Sequence, residues 1–160
     1  MTIDDPRPPS TVSVEASGLL AGGQRAGADP VTVSASDNTG IRAVQIVDAT
    51  DTAAPRVVGG EDYNPGKQRT DRGQTCSYRL AHSCPNLTRE TLRASALEAG
   101  RRQLLVRVID TGGNVAQRGP YTVDVVTPSD RGPLNGSGAT ETGRLRVAFK
   151  GRQRSRITVG

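Results

Sequence analysis

The chain has 160 residues and a formal net charge of +5. It contains no Trp, one Phe and three Tyr, so its core has to be built from Val, Leu, Ile and Ala. Such a thin core disfavours a large enclosed cavity of the enzyme type. No run approaches the roughly eighteen apolar residues of a membrane span. Met1–Asp5 lacks the basic and apolar regions of a signal peptide, so a signal lies upstream in a longer parent protein or is absent.

The positive charge is confined to one part of the chain. Residues 1–127 hold equal numbers of basic and acidic side chains, and the whole excess lies in residues 128–160. The Arg-rich segment Arg144–Arg156 is a candidate contact for nucleic acid or an anionic cell wall. It lacks the aromatic residues that stack on bases, and its alternation favours a solvated strand face.

In chain order, residues 1–9 predict an extended, Pro-rich linker. Ser17–Asp29 and Glu61–Gln74 are predicted loops, the first anchored by Leu19 and Leu20. A single helical turn is expected just before Gly100. Alternation of apolar and polar residues predicts strands at Thr11–Glu15, Val31–Ser36, Ile41–Val47, Pro55–Val58, Thr75–Leu80 and Leu87–Arg93.

The clearest strand pattern lies in Gly100–Asn114. Leu104, Val106 and Val108 would share one buried face, because side chains alternate along a strand. The run ends in Asp110-Thr-Gly-Gly-Asn114, which is a cluster of turn-forming residues. A second run, Tyr121–Val126, follows after Arg118-Gly-Pro120 and completes a hairpin-type pair.

Strands that recur every ten to fifteen residues with turns between them predict an all-β antiparallel sandwich. The predicted domains are the linker at 1–9, the sandwich at 10–127, a Pro/Gly/Ser connector at 128–142 and the first strands of a second β-module at 143–160. Two strands cannot bury a face by themselves, so this second module is predicted to be truncated.

Two segments carry a family resemblance. Val31–Ile41 ends in Asp-Asn-Thr-Gly-Ile, and Leu104–Asn114 ends in Val-Ile-Asp-Thr-Gly-Gly-Asn. The combination resembles the bacterial immunoglobulin-like modules of secreted, multi-domain actinobacterial proteins, over roughly Val12 to Val126. The resemblance implies an Ig-like sandwich and an extracellular spacer or binding module, without implying a ligand.

With that resemblance, the even cysteine count favours a disulfide between Cys76 and Cys84. Closing so short a loop would stabilise the fold by about 2–3 kcal/mol. Free thiols and a metal or redox site remain the alternatives. A zinc site needs four ligands, and His82 is the sole histidine of the chain.

The sequence predicts neither catalysis nor a cofactor. Nothing around His82 resembles a nucleophile elbow, and no phosphate-binding glycine loop is present. Asp37 and Asp110 are candidate calcium ligands, because hard cations take carboxylate oxygens. The favoured interpretation is that both simply cap turns, where aspartate is the usual residue, so no metal site is predicted. Four more loop carboxylates are candidate contributors, namely Asp48, Asp51, Glu61 and Asp62.

The function expected from the resemblance is a non-catalytic, extracellular or cell-surface spacer or adhesion-type module of a larger protein. Its expected partners are neighbouring β-domains, or a cell-surface polymer or protein, rather than nucleic acid or a membrane. The alternative is a carbohydrate- or cell-wall-binding accessory module. Sugar binding normally uses exposed aromatic residues, and the sandwich offers Tyr63, Tyr78 and Tyr121. Nucleic-acid binding through the Arg-rich tail is the least favoured.

Overall fold

A computed structural model of the protein describes residues 5–126, except Leu80 and Ala96. These residues form eight strands and one 3-10 turn at Gly18–Leu20, and no longer helix. The strands are β1 (Thr11–Val14), β2 (Gln24–Ala26), β3 (Val31–Ser36), β4 (Ile41–Asp48), β5 (Arg56–Asp62), β6 (Leu87–Leu92), β7 (Gly100–Asp110) and β8 (Val115–Val126). The predicted all-β class is confirmed. The predicted connector at 128–142 and second module at 143–160 lie outside the described residues.

The strands form two sheets. One has the order β1-β3-β6, and the other has the order β2-β8-β7-β4-β5. All neighbours are antiparallel except β2 and β8, which are parallel. The core lies between the sheets and is built from aliphatic side chains such as Val33, Val44 and Val106, each fully buried. This arrangement is consistent with a β-sandwich.

Strand β7 has the register that its sequence predicts. Leu104, Val106 and Val108 have no exposed surface, whereas Leu105 and Ile109 on the other face are only partly buried. β7 pairs with β4 on one side and β8 on the other, so its apolar face lies at the centre of the larger sheet.

The hairpin turn lies where the sequence predicts turn-forming residues, but β8 begins earlier than the predicted run Tyr121–Val126. The chain reverses at Asp110–Asn114, and Arg118–Pro120 lies inside β8 rather than in a turn. The β7–β8 register shifts beside this segment, between Leu104 and Val106. A Cβ at Gly119 would lie 2.7 Å from the Leu104 carbonyl oxygen, so glycine permits the close approach.

The predicted strand at Thr75–Leu80 is wrong. The Cys76 N–H donates to the Tyr63 carbonyl, and the Ser77 N–H donates to the Ser83 carbonyl. Tyr78 adopts a left-handed conformation with φ of 51°, which interrupts any extended run. The backbone groups are therefore satisfied within the loop after β5, without a strand partner.

The helical turn expected before Gly100 is also absent from the described residues. Ala94 instead bridges to Gly59, and the Ser95 N–H donates to the Val58 carbonyl at 2.7 Å. These contacts cover the outer edge of β5. β5 continues through Asp62, two residues into the predicted loop, because Glu61 and Asp62 pair with Val44 and Ala43 of β4.

The chain enters and leaves the sandwich at opposite ends. Thr11 pairs with Ser36, so β1 begins at the end that holds Asp37 and Asp110, which we call the linker end. Val125 pairs with Gly100, so β8 ends at the other, exit end. The two ends are separated by the 11 residues of β7, or roughly 35 Å at about 3.3 Å per residue.

A search for helices of membrane-spanning length and apolarity finds none among the described residues.

The burial of Val106 in β7 predicts that two Val→Asp substitutions lower the free energy of unfolding by very different amounts. Val106→Asp buries an unpaired carboxylate in the core. We therefore expect the free energy of unfolding to fall by more than about 3 kcal/mol, or the protein to unfold. Val57→Asp, at a valine that is 56% exposed, should cost below about 1 kcal/mol. Urea titration of both variants measures the difference.

Arg107→Asp, at the residue next to Val106, is the register control. Arg107 lies on the outer face and donates to Gln117 Oε1, so we expect a small loss at this position as well. Equal losses at positions 106 and 107 would contradict the assigned register.

Candidate functional site

The turn between β3 and β4 is the framework of the linker end. Asp37 Oδ2 accepts hydrogen bonds from the Thr39 N–H and the Thr39 hydroxyl, both at 2.9 Å. An aspartate that caps its own turn in this way is a common turn solution. Gly40 follows with φ of +89°, and a Cβ there would lie 1.8 Å from the Cys84 carbonyl oxygen.

The structure confirms the disulfide between Cys76 and Cys84. Its loop packs against the β3–β4 turn, because the Ser83 and Cys84 N–H groups both donate to the Thr39 carbonyl, at 3.0 and 3.1 Å. His82 is exposed and lies with Nδ1 3.1 Å from the Asn38 carbonyl oxygen. The loop therefore buttresses the turn that positions Asp37.

The β7–β8 turn brings a second aspartate to the same place. Asp110 is fully buried, and its two oxygens accept the Asn114 backbone N–H at 2.8 Å and the Asn114 side-chain amide at 2.9 Å. The Thr111 hydroxyl donates to the Thr39 carbonyl at 2.9 Å, which ties this turn to the β3–β4 turn.

The linker supplies the third carboxylate. The Asn114 side-chain amide donates to the Asp5 and Arg7 carbonyls, at 2.5 and 3.1 Å, and so fixes the linker to the β7–β8 turn. The Thr39 hydroxyl lies 2.9 Å from Asp5 Oδ2. The Arg7 N–H, which donates to Asp5 Oδ1 at 3.2 Å, is the main reason that the pKa of Asp5 lies below its usual range.

Asp5, Asp37 and Asp110 form a compact group that we call the acidic cluster. One carboxylate oxygen from each lies within 4.8 Å of the others. All three side chains are buried, at 8%, 5% and 0% exposed. No Lys or Arg of the described residues forms an ion pair with any of them. Three carboxylates are therefore held together without a paired cationic side chain.

The side-chain amide of Asn38 lies against the same oxygens. With its nitrogen facing them, it donates to Asp37 Oδ2 at 2.9 Å and to Asp5 Oδ2 at 3.0 Å. With its oxygen facing them, it adds a neutral oxygen to the carboxylates. An open groove of about 790 Å³, lined by residues 5–10 with Asp37 and Asn38, borders the cluster.

The donor set of the acidic cluster consists of oxygens, the ligand type that hard cations such as Ca²⁺ prefer. The structure thus brings together Asp37 and Asp110, the two candidate ligands from the sequence, and adds Asp5. Asp5 was missed because it lies in a Pro-rich segment that carries no strand or turn pattern. The other candidates lie elsewhere. Asp48 is the last residue of β4 and Asp51 follows it, while Glu61 and Asp62 lie in β5.

Asp48 shows how a buried carboxylate is satisfied at the exit end. It accepts from the Thr50 N–H and hydroxyl, and it forms ion pairs with Arg102 at 3.6 Å and Arg56 at 3.8 Å. Burial alone would raise the pKa of Asp48, but the Thr50 hydrogen bonds and the two arginine charges keep it below its usual range. The two ends of the sandwich therefore differ in how they compensate acidic charge.

No model of a known protein family matches this chain, and a search of the curated proteins gives no match either. The immunoglobulin-like resemblance therefore stays a prediction, and function has to be argued from the geometry.

The contact between Gly40 and Cys84 predicts that Gly40→Ala, which adds one methyl group, lowers the free energy of unfolding by a large amount. Gly40→Ala has to displace the Cys84 carbonyl, 1.8 Å from the new Cβ, as well as adopt a positive φ. Gly113→Ala is the matched control, because Gly113 has φ of +92° and no atom within 4 Å of its Cβ position. In urea titrations we expect Gly113→Ala to lower the free energy of unfolding by about 1–2 kcal/mol. Gly40→Ala should lower it by clearly more. Equal costs would contradict the contact.

The acidic cluster predicts a response to divalent cations. We expect Ca²⁺ to raise the thermal midpoint relative to EDTA. A site on the folded state stabilises it by about 2.7 kcal/mol when free ligand exceeds the dissociation constant a hundredfold. Asp37→Asn should reduce this response, because asparagine keeps the turn cap but removes one charge. Differential scanning calorimetry measures both.

Asp51→Asn is the matched control, since the Asp51 carboxylate also caps a turn, through the Ala53 N–H at 2.9 Å. It should respond to Ca²⁺ as the wild type does. An identical Ca²⁺ response in all three proteins would show that the acidic cluster is not involved.

Proposed function

We propose that the protein is a non-catalytic spacer module of a larger extracellular or cell-surface protein. It holds its neighbouring domains apart and transmits tension between them. The observation that carries this proposal is the entry of the chain at the linker end and its departure at the exit end. Modules with termini at opposite ends extend a chain when they are joined in series.

The terminal strands are oriented to resist such tension. A force on the linker pulls β1 lengthwise along β3, and a force beyond Val126 pulls β8 lengthwise along β7. Lengthwise pulling loads the hydrogen bonds of a strand together, whereas peeling loads them one after another. The parallel pairing of β2 with residues 124–126 adds a further set of bonds to β8 at the exit end.

The contacts of the linker support the same function. Asp5 and Arg7 are bonded to Asn114, so the direction in which the linker leaves the sandwich is set by the β7–β8 turn. A spacer with a fixed linker keeps its neighbour at a defined angle. A hard cation in the acidic cluster would fix it further, because Asp5 belongs to the linker and Asp37 and Asp110 to the sandwich.

The cysteine pair agrees with an extracellular location. Disulfides persist in oxidising compartments and are rare in reducing ones. The carbohydrate-binding alternative gains less support from the described residues. Tyr63 is fully buried, Tyr121 packs against the core, and Tyr78 is 38% exposed. A flat row of exposed aromatic rings, which would favour sugar stacking, is not formed by these three.

Single-molecule force spectroscopy on the full chain tests the spacer function. Held at its two termini, the sandwich should unfold in one cooperative step at a high force. The same chain held at its C-terminus and at Ala28→Cys should unfold at a lower force. Ala28 lies between β2 and β3 at the exit end, so that this geometry peels β8 away. Forced unfolding depends on the unfolding rate, so pulling rates have to be equal.

Equal or lower force in the end-to-end geometry would contradict the spacer proposal. Retention of the chain on an insoluble cell-wall polysaccharide, reversed by the soluble sugar, would support the alternative function instead.

A further inference from the structure

A second group of carboxylates lies at the seam where the two sheets meet at their open edges. β5 is the edge strand of the larger sheet and β6 is the edge strand of the smaller one. The loop between them, residues 63–86, covers the seam. We call Glu61, Tyr63, Asp71 and Glu90 the seam cluster.

Both glutamates of the seam cluster lie on the core side of their strands. Glu61 pairs with Val44 and Glu90 pairs with Val33, and both valines are fully buried. Directly opposed residues share a face of an antiparallel pair. Glu90 is 3% exposed, and Glu61 has a buried Oε2 atom. Two edge strands thus direct carboxyl groups toward the interior from opposite sheets.

Asp71 links the loop to β6 at two points. Its N–H donates to Glu90 Oε1, and its Oδ2 accepts the Thr91 N–H at 3.0 Å. The loop is therefore held on the edge of β6 through Glu90 and its neighbour. Any change in the charge of Glu90 acts directly on this attachment.

The seam cluster is short of hydrogen-bond partners. Tyr63 is fully buried and its hydroxyl has no partner among the described residues, and the same holds for Glu61 Oε2. A buried polar atom without a partner costs about 1–3 kcal/mol. Glu61 Oε2 is thus a buried acceptor without a donor, and a protonated carboxyl group supplies a hydrogen for such an acceptor.

We propose that the seam cluster takes up a proton on folding, shared by Glu61 and Glu90, and that this proton relieves the repulsion among the carboxylates beneath the loop 63–86. A carboxylic acid donates one hydrogen bond, so it can satisfy an oxygen that two carboxylates leave unpaired. The fold is then more stable in mildly acidic than in neutral solution.

The charged groups around the two glutamates favour protonation. Burial raises the pKa of Glu90, with further contributions from Asp71 and Glu61, while the Asp71 N–H and Arg72 act in the opposite direction. Burial and Asp71 raise the pKa of Glu61. The pKa of the Tyr63 hydroxyl is likewise raised, by burial and then by the carboxylates, so it stays protonated.

The pH window follows from these directions. A carboxyl with a raised pKa in the folded state keeps its proton where the unfolded chain has lost it. Stability therefore increases as pH falls from neutral toward the ordinary glutamate pKa of 4.5. Asp5 and Asp48, with lowered pKa values, lose their stabilising effect only below the ordinary aspartate pKa of 3.8. The two effects thus fall in separate windows.

Solvent can reach the seam for proton exchange. Glu61 is only partly buried, so solvent reaches the β5 side of the seam cluster.

Urea titrations of the full chain at pH 5, 6 and 7 test the proposal. The wild-type midpoint should rise as the pH falls. Each unit by which folding raises a pKa changes the folding equilibrium by up to about tenfold. Glu90→Gln, a neutral isostere, should be more stable than the wild type at pH 7 and should show a weaker pH dependence. Glu61→Gln should show the same change to a smaller degree.

Asp124→Asn is the control, because Asp124 is exposed and its side chain makes no hydrogen bond or ion pair with other described residues. It should keep the wild-type slope. A wild-type midpoint that is constant or falls between pH 7 and pH 5 would overturn the proposal. So would an equal slope in Glu90→Gln.

A direct readout is available if a variant fails to fold. The chain has five glutamates, so carboxyl carbon resonances of labelled wild-type protein can be assigned and titrated by NMR. The Glu90 resonance should titrate above the ordinary glutamate pKa of 4.5. Amide exchange in residues 63–75, corrected for its intrinsic pH dependence, should be slower at pH 5 than at pH 7. Titration of the Glu90 resonance at or below the ordinary glutamate pKa of 4.5 would exclude the shared proton.

Discussion

The turn from Asp37 to Gly40 is the shared partner on which the linker end depends. The Thr39 carbonyl accepts from the disulfide loop and from the β7–β8 turn, and its hydroxyl lies between Asp5 and Asp37. Gly40 allows the Cys84 backbone to approach. Three separate parts of the chain, the linker, the disulfide loop and the β7–β8 turn, thus converge on four residues.

The two ends and the seam treat buried carboxylates in three different ways. At the exit end, Asp48 is compensated by Arg56 and Arg102. At the linker end, the acidic cluster has hydrogen bonds but no ion pair among the described residues. At the seam, Glu61 and Glu90 face the core, and one Glu61 oxygen has no hydrogen-bond partner among the described residues. Burying charge destabilises a fold unless a partner compensates it, so each arrangement calls for a different partner: arginine, a cation or a proton.

Local patterns predicted the strands that form the core, and long-range contacts decided the rest. The alternation in β3 and β7 is governed by burial of one face, so it can be recognised from the sequence. Thr75–Leu80 alternates equally well, but its backbone is satisfied by Tyr63 and Ser83. Asp37 and Asp110 were recognisable as turn residues, whereas the position of Asp5 depends on Asn114, 109 residues away. Such a contact leaves no periodic signal.

The proline inside β8 has a consequence for self-association. An exposed strand edge is a template for pairing with another chain, and proteins blunt such edges with proline, charge and covering segments. Here Pro120 has no N–H to offer, β2 covers residues 124–126, and Arg118 turns to the Val12 carbonyl. On the opposite edge of the same sheet, Ala94 and Ser95 pair with the outer edge of β5 at Gly59 and Val58. Chains crowded side by side on a surface would therefore resist merging their sheets into aggregates, while remaining free to be joined end to end.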